Sequence, residues 1–171
     1  FPFQELLPGV YEWLRAADTH FWQKGEECTV FEAAGARFST PICFEDTFGY
    51  LGRAFVRRGA QMLVNMTNDS WSRAVACEMQ HMSIALFRAL ENRRPMVRST
   101  NGGITCVIDA NGRITAQLEP FVEGYLVADV PMYSGRQTLY TRWGDWFGAL
   151  ALAAAGLLLL IGLLRPFLHR R

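Results

Sequence analysis

Lysine is almost missing from this 171-residue chain: Lys24 is the only one, and arginine supplies the rest of the 17 basic side chains, set against 16 acidic ones. The resulting net charge of +1 at neutral pH leaves no electrostatic footprint for nucleic acid, which needs a basic face or stripe. Cysteine is scarce too. Cys28, Cys43, Cys77 and Cys106 form no C-x-x-C pair and stand in no metal-ligand spacing with His20, His81 or His169, which excludes a zinc module and a disulfide scaffold. The bland reading of each thiol is a small buried hydrophobe. Internal repeats are absent. The chain opens on Phe1 without the charged head of a signal peptide, so it is expected to have been processed or cut from something longer.

Against those absences stands one long charge-free run, Trp146 to Leu164. At ~1.5 Å per residue it spans about 28 Å, close to the ~30 Å hydrocarbon core of a bilayer. Trp143, Trp146 and Phe147 flank one end, and Arg165, His169, Arg170 and Arg171 the other. A buried core helix of this length would show a polar stripe, and none is present. The basic end favours the cytoplasm, which puts the preceding domain on the far face, with Arg142 as a weak counter-signal. The expected division is a domain over 1–135, a linker over 136–145, a membrane helix over 146–164 and a basic cytoplasmic tail over 165–171.

The remaining chain alternates strand and helix patterns, which predicts an α/β layered domain. Strands are expected over 28–32 and 36–42, joined through Ala34-Gly35. A helix is expected from Asp46 to Arg58, with Gly59 as its left-handed cap. A buried strand follows over 61–66, then a second helix from Val75 to Arg93 ended by Pro95. Met96–Thr100 is another strand. Ile104–Asp109 and Arg113–Leu118 flank Ala110-Asn111-Gly112, a hairpin signal because Asn-Gly tolerates positive φ. Tyr125–Val130 is expected as a last strand.

Cys43 is the thiol whose surroundings argue for chemistry. It lies where a strand hands over to a helix, in Pro41-Ile42-Cys43-Phe44-Glu45-Asp46. Free backbone N–H groups at such a junction favour an anion and can hold a developing oxyanion. Glu45 is open to two readings, an active-site carboxylate or a helix-start cap. Asn68, Ser70 and Trp71 follow the next strand, where ligand sites of open α/β sheets gather, although a plain Asn/Asp/Ser turn has the same composition. Asn101-Gly102-Gly103 is a weaker rim candidate.

Pro41-Ile42-Cys43-Phe44-Glu45 resembles the nucleophile motif of the nitrilase, or carbon–nitrogen hydrolase, superfamily. With MLVNMTNDSW, QHMSIALFRALENRRPMVRSTNGG and the terminal apolar run, the chain resembles the membrane branch of that superfamily, the apolipoprotein N-acyltransferases, along essentially its whole length. The resemblance implies part of an αββα sandwich followed by one carboxy-terminal transmembrane helix. It implies a Glu-Lys-Cys triad with Cys43 as nucleophile, Glu45 as the second active-site glutamate and the Phe44 N–H as an oxyanion donor. The triad lysine and glutamate lie upstream in that family; Lys24, Glu5 and Glu12 lack their context. Position 44 is often tyrosine there and is Phe44 here.

The implied partners are a phospholipid acyl donor and a diacylglyceryl apolipoprotein acceptor at a bacterial inner membrane. The implied protein is a multi-pass monomer, and no metal or cofactor is called for. Three rivals stand beside this: a membrane-tethered amidase, a thiol enzyme pairing Cys43 with His81, and a non-catalytic membrane module.

Overall fold

The computed structural model describes residues 5–17 and 25–168, with side chains to 165; Lys24, His20, His169, Arg170 and Arg171 lie outside them. A short helix α1 (Pro8–Ala16) buries none of its residues. Six strands follow in one sheet: β1 (Phe31–Ala33), β2 (Ala36–Ser39), β3 (Met62–Asn68), β4 (Met96–Asn101), β5 (Cys106–Ile108) and β6 (Ile114–Gln117), in spatial order β1 to β6. β2, β3 and β4 run parallel, while β1, β5 and β6 are antiparallel to their neighbours. The parallel steps are bridged by helices α2 (Gly49–Arg57) and α3 (Val75–Asn92), as parallel strands require.

Both helices pack on one face of the sheet. Phe55 of α2 and Met82, Ala85 and Ala89 of α3 bury against Leu63, Met96, Cys106 and Ile108 from alternate strand positions. Full burial of each large side chain contributes about 1.5–3 kcal/mol. The opposite face carries Phe31, Phe38, Met62, Val64, Met66 and Val97, of which Phe31 and Met66 stay half exposed. One helical layer and one sheet are thus in place, the α/β arrangement that the alternating strand and helix patterns predict.

Turn chemistry follows the sequence closely. Ala34 and Gly35 both take positive φ, closing the β1–β2 hairpin, and Gly59 takes a φ of 101° just past α2. The β5–β6 connection is organised by Asp109, whose carboxylate accepts from the N–H groups of Asn111 and Arg113, each at 2.8 Å. Those bonds, Arg113's first, hold the Asp109 carboxyl below its ordinary range.

Three expectations change. The helix expected from Asp46 to Arg58 is split into a 3-10 turn, Cys43–Thr47, and α2, with Phe48 extended between them (φ −90°, ψ 106°). The break has a cause: Arg88 Nη1 occupies the carbonyls of Asp46 and Thr47, at 3.5 and 2.6 Å, where helical N–H groups would bind. Tyr125–Val130 forms no strand; it has no sheet partner among the described residues, and Tyr125 and Val127 are 88% and 85% exposed. Residues expected as linker contain a further helix, α4 (Leu139–Trp143).

α4 is tied firmly to the domain. Thr138 caps it by accepting from the Thr141 N–H at 3.0 Å, and the Thr141 hydroxyl donates to Asn92 Oδ1 at 2.8 Å. At its other end Arg53 donates to the carbonyls of Tyr140 and Arg142, at 3.1 and 2.8 Å, which satisfies groups a helix terminus leaves open. The last helix, α5 (Trp146–Leu168), is long and apolar enough to cross a membrane, and its apolar stretch is wholly exposed.

Candidate active site

The sequence puts Cys43 at the end of the β2 strand, and the structure makes it an elbow. Ile42 forms a lone parallel bridge with Met66, extending the sheet by one residue. Cys43 then takes a φ of 51°, a left-handed conformation that costs an L-residue about 1–2 kcal/mol. Such strain persists only where surrounding contacts over-determine it. Two sets of contacts do so here.

The first is local. The Ile42 N–H donates to Glu45 Oε2 at 2.7 Å, and the Glu45 N–H returns to the Ile42 carbonyl at 3.1 Å. Glu45 is therefore seen closing the bend, with its side chain otherwise exposed. The second comes from β3. Fully buried Asn65 donates its amide to the carbonyls of Pro41 and Cys43, at 3.1 and 3.0 Å. Next to the half-buried thiol, the Phe44 N–H has no acceptor among the described residues.

A pocket of about 220 Å³ opens on the Phe44 side of the elbow, lined by Phe44, Trp71, Cys77, Glu78, His81 and Ile84, among others; Phe44, and not Cys43 itself, is the elbow residue that lines it. Trp71 is 71% exposed and Phe44 58%, so the mouth is aromatic and apolar. Of the rim candidates, Trp71 lines the pocket. Asn68 and Ser70 instead build the loop: Asn68 Oδ1 accepts from the Ser70 hydroxyl at 2.7 Å and from Asn101 Nδ2 at 3.2 Å. Gly102 backs that loop, and a Cβ there would lie 2.8 Å from Ser70 Cα.

A buried charged cluster under the elbow was missed in the sequence. Asp46 of the 3-10 turn, Asp69 after β3, His81 of α3 and Arg98 of β4 all lie below 10% exposure. His81 Nε2 lies 2.8 Å from Asp46 Oδ1 and its Nδ1 lies 3.0 Å from Asp69 Oδ1. Arg98 pairs with Asp46 Oδ2 and stands 3.6 Å from Asp69 Oδ2. The bond from Asp46 leads in raising His81 above its ordinary 6.5, against burial and Arg98, with the charges of Asp46 and Asp69 adding to the rise. Both ring nitrogens are engaged by carboxylates, so neither serves a Cys43–His81 dyad. The available signal was Arg98 itself, the one charge in an otherwise uncharged strand.

The thiols differ. Cys106 is fully buried, and burial pushes it up to about 11. Cys77 lines the pocket and Cys28 packs at the edge of the core.

Comparison with known proteins bears on the family and the fold. The family described as carbon-nitrogen hydrolase matches residues 5–140. Apolipoprotein N-acyltransferase 1 of Treponema denticola is 45% identical over 171 residues, 99% of this chain and 31% of that protein. Apolipoprotein N-acyltransferase 1 of Treponema pallidum is 46% identical over 100% of this chain, again 31% of that protein. The chain therefore spans about a third of the length of these curated relatives.

Among solved structures, a carbon-nitrogen hydrolase from Helicobacter pylori G27 matches at a TM-score of 0.53 and 14% identity, over 60% of this chain and 43% of that one. An amidase from Nesterenkonia sp. AN1 matches at 0.51 and 23%, over 64% and 45%. At such identities the likeness is one of fold. With the family match running over most of its length and the same fold in its structural neighbours, the chain belongs to the carbon–nitrogen hydrolase family.

Proposed function

We propose that this chain is the part of an apolipoprotein N-acyltransferase that carries its nucleophile. Cys43 takes a fatty acyl chain from a phospholipid as a thioester and passes it to the amino-terminal amine of a diacylglyceryl-cysteine apolipoprotein. The observation that carries the reading is the strained elbow: a half-buried thiol at φ 51°, followed directly by Phe44, which lines the pocket and whose N–H has no acceptor among the described residues. Strain of this kind gathers at functional sites, and the identity to the treponemal acyltransferases extends along the whole chain.

In the first half-reaction the Cys43 thiolate attacks the ester carbonyl, and the Phe44 N–H donates to the oxyanion. Collapse expels the lysophospholipid alkoxide, which takes up a proton. In the second, the acceptor amine attacks the thioester, sheds a proton and releases the Cys43 thiolate. Glu45 keeps the bend closed, and its carboxylate is the second active-site acid of the proposal. Trp71 walls the lipid side, with Asn68 and Ser70 shaping its loop. The triad lysine and base glutamate are assigned to parts of the whole protein outside this chain, so the 171 residues alone are expected not to turn over.

In this reading α5 spans the bacterial inner membrane with its basic end in the cytoplasm, and the domain faces the periplasm beside both bilayer-resident substrates. The whole protein is multi-pass and works as a monomer. The test is Cys43→Ala in the full-length enzyme: lipoprotein maturation stops. Normal maturation by that variant refutes the proposal.

A further inference from the structure

The cluster under the elbow has a composition that acyl transfer at Cys43 does not by itself require. Ionised carboxylates accept hydrogen bonds and never donate them. A histidine with each ring nitrogen against a carboxylate oxygen, at 2.8 and 3.0 Å, therefore needs a hydrogen on both. With both carboxylates ionised, His81 is an imidazolium. With Arg98 it balances Asp46 and Asp69, two cations against two anions, and such balance is what keeps buried charge tolerable.

The four groups come from four different elements. Asp46 sits three residues after Cys43 in the same 3-10 turn, Asp69 begins the loop that carries Trp71, His81 belongs to α3 and Arg98 to β4. The Phe44 ring, next to the nucleophile, stands 5.7 Å from the His81 ring. His81 is within hydrogen-bond distance of both the turn bearing the thiol and the loop that carries Trp71, while Arg98 backs the same two carboxylates, at 3.6 Å from Asp69 Oδ2.

We propose that His81, as an imidazolium clamped between Asp46 and Asp69, is a positioning residue that sets the Cys43 turn against the Trp71 loop. The assignment rests on the acyl-transfer reading and names a residue that acts through Asp46, without touching substrate. The charged groups facing the imidazole are Asp46 from the turn, Asp69 from the β3 loop and Arg98 from β4. Two more lie nearby on its own helix: Glu78, bonded by the Ser72 hydroxyl, and Arg88, which holds the carbonyls of Asp46 and Thr47. Loss of one proton turns a ring lone pair toward a carboxylate and leaves the buried cluster with a net negative charge. The clamp then opens on one side. Cys43 reactivity, which rises with thiolate formation, acquires a basic limb at the point where His81 deprotonates.

The experiment uses the full-length enzyme with vesicles of phosphatidylethanolamine and phosphatidylglycerol, reading acyl-thioester on Cys43, and in parallel iodoacetamide alkylation of Cys43, each across pH. His81→Gln carries its N–H donors on one nitrogen, so it serves one carboxylate and sets its amide oxygen against the other. It is expected to slow acylation on the order of tenfold to a hundredfold, the scale of a misplaced reacting group, with the half-saturating lipid concentration unchanged and the basic limb gone. Adding Asp69→Asn to it restores charge balance and recovers part of the rate. Asp69→Asn alone moves the basic limb to lower pH, and decides the matter if His81→Gln fails to fold.

A wild-type rate and profile in His81→Gln, or an unmoved limb in Asp69→Asn, overturns the proposal. If wild-type enzyme forms no thioester while the alkylation profile still moves with these variants, the clamp stands and the acyl-transfer reading falls.

Discussion

Asn65 offers a perturbation that separates elbow geometry from global stability. Its amide nitrogen faces two carbonyls, Pro41 O at 3.1 Å and Cys43 O at 3.0 Å, which fixes its orientation, since a flipped amide would set oxygen against oxygen. Its Oδ1 is buried without a partner among the described residues. Asn65→Leu removes two hydrogen bonds of ~1 kcal/mol each but also removes an orphaned acceptor costing ~1–3 kcal/mol. The Pro41 carbonyl keeps the Met66 N–H at 3.4 Å. The net change in stability is therefore small, about 1 kcal/mol or less.

The elbow fares worse. Those bonds oppose the ~1–2 kcal/mol strain of left-handed Cys43, and losing them slows Cys43 alkylation by roughly tenfold, the equivalent of ~1.4 kcal/mol. Asn65→Asp does the opposite to stability: a buried carboxylate facing two carbonyls costs about 3 kcal/mol or more. Thermal unfolding of the full-length enzyme in detergent and timed iodoacetamide labelling read both effects. An Asn65→Asp protein that melts and labels like wild type refutes the reasoning, as does Asn65→Leu being the less stable of the two.

Other outcomes follow from the same contacts. With its thiol raised to about 11, Cys106 is about one part in a thousand thiolate at roughly pH 8, so it resists labelling in native protein under conditions that modify Cys43; equal labelling of both contradicts the burial described. Gly102→Ala, at φ 78° with its Cβ 2.8 Å from Ser70 Cα, destabilises by about 1–3 kcal/mol, seen as a lowered melting temperature; an unchanged melt speaks against the close approach. Because His81 sits above its ordinary 6.5 in the folded protein, the stability it contributes is complete below that value and is lost as pH rises through the higher folded one. The melting temperature of wild type therefore falls relative to His81→Gln across that window, and parallel pH profiles for the two refute the linkage.

Local signals carried the fold a long way. Paired turn residues such as Ala34-Gly35 and Asn111-Gly112 marked the hairpins, helical spacing of Met79, Met82 and Leu86 marked α3, and the uncharged run marked α5. These depend on neighbours in sequence, so a sequence displays them. The break at Phe48 was not legible, because the Thr47 carbonyl just before it is taken by Arg88, 41 residues further along the chain. The same holds for the site. Cys43 and Glu45 lie within one motif, and Glu45's bond back to Ile42 is local. Asp46, Asp69, His81 and Arg98 meet only after β3, β4 and α3 are laid side by side. Tyr125–Val130 has strand-like composition, yet a strand needs a partner, which composition does not supply.

The most direct test of the account is the mass of the Cys43 peptide after full-length enzyme has been incubated with phospholipid and no acceptor. The expected result is a fatty acyl adduct on Cys43 that hydroxylamine removes and that an apolipoprotein acceptor discharges. An unmodified Cys43, or an acyl group found on Cys77 instead, contradicts it.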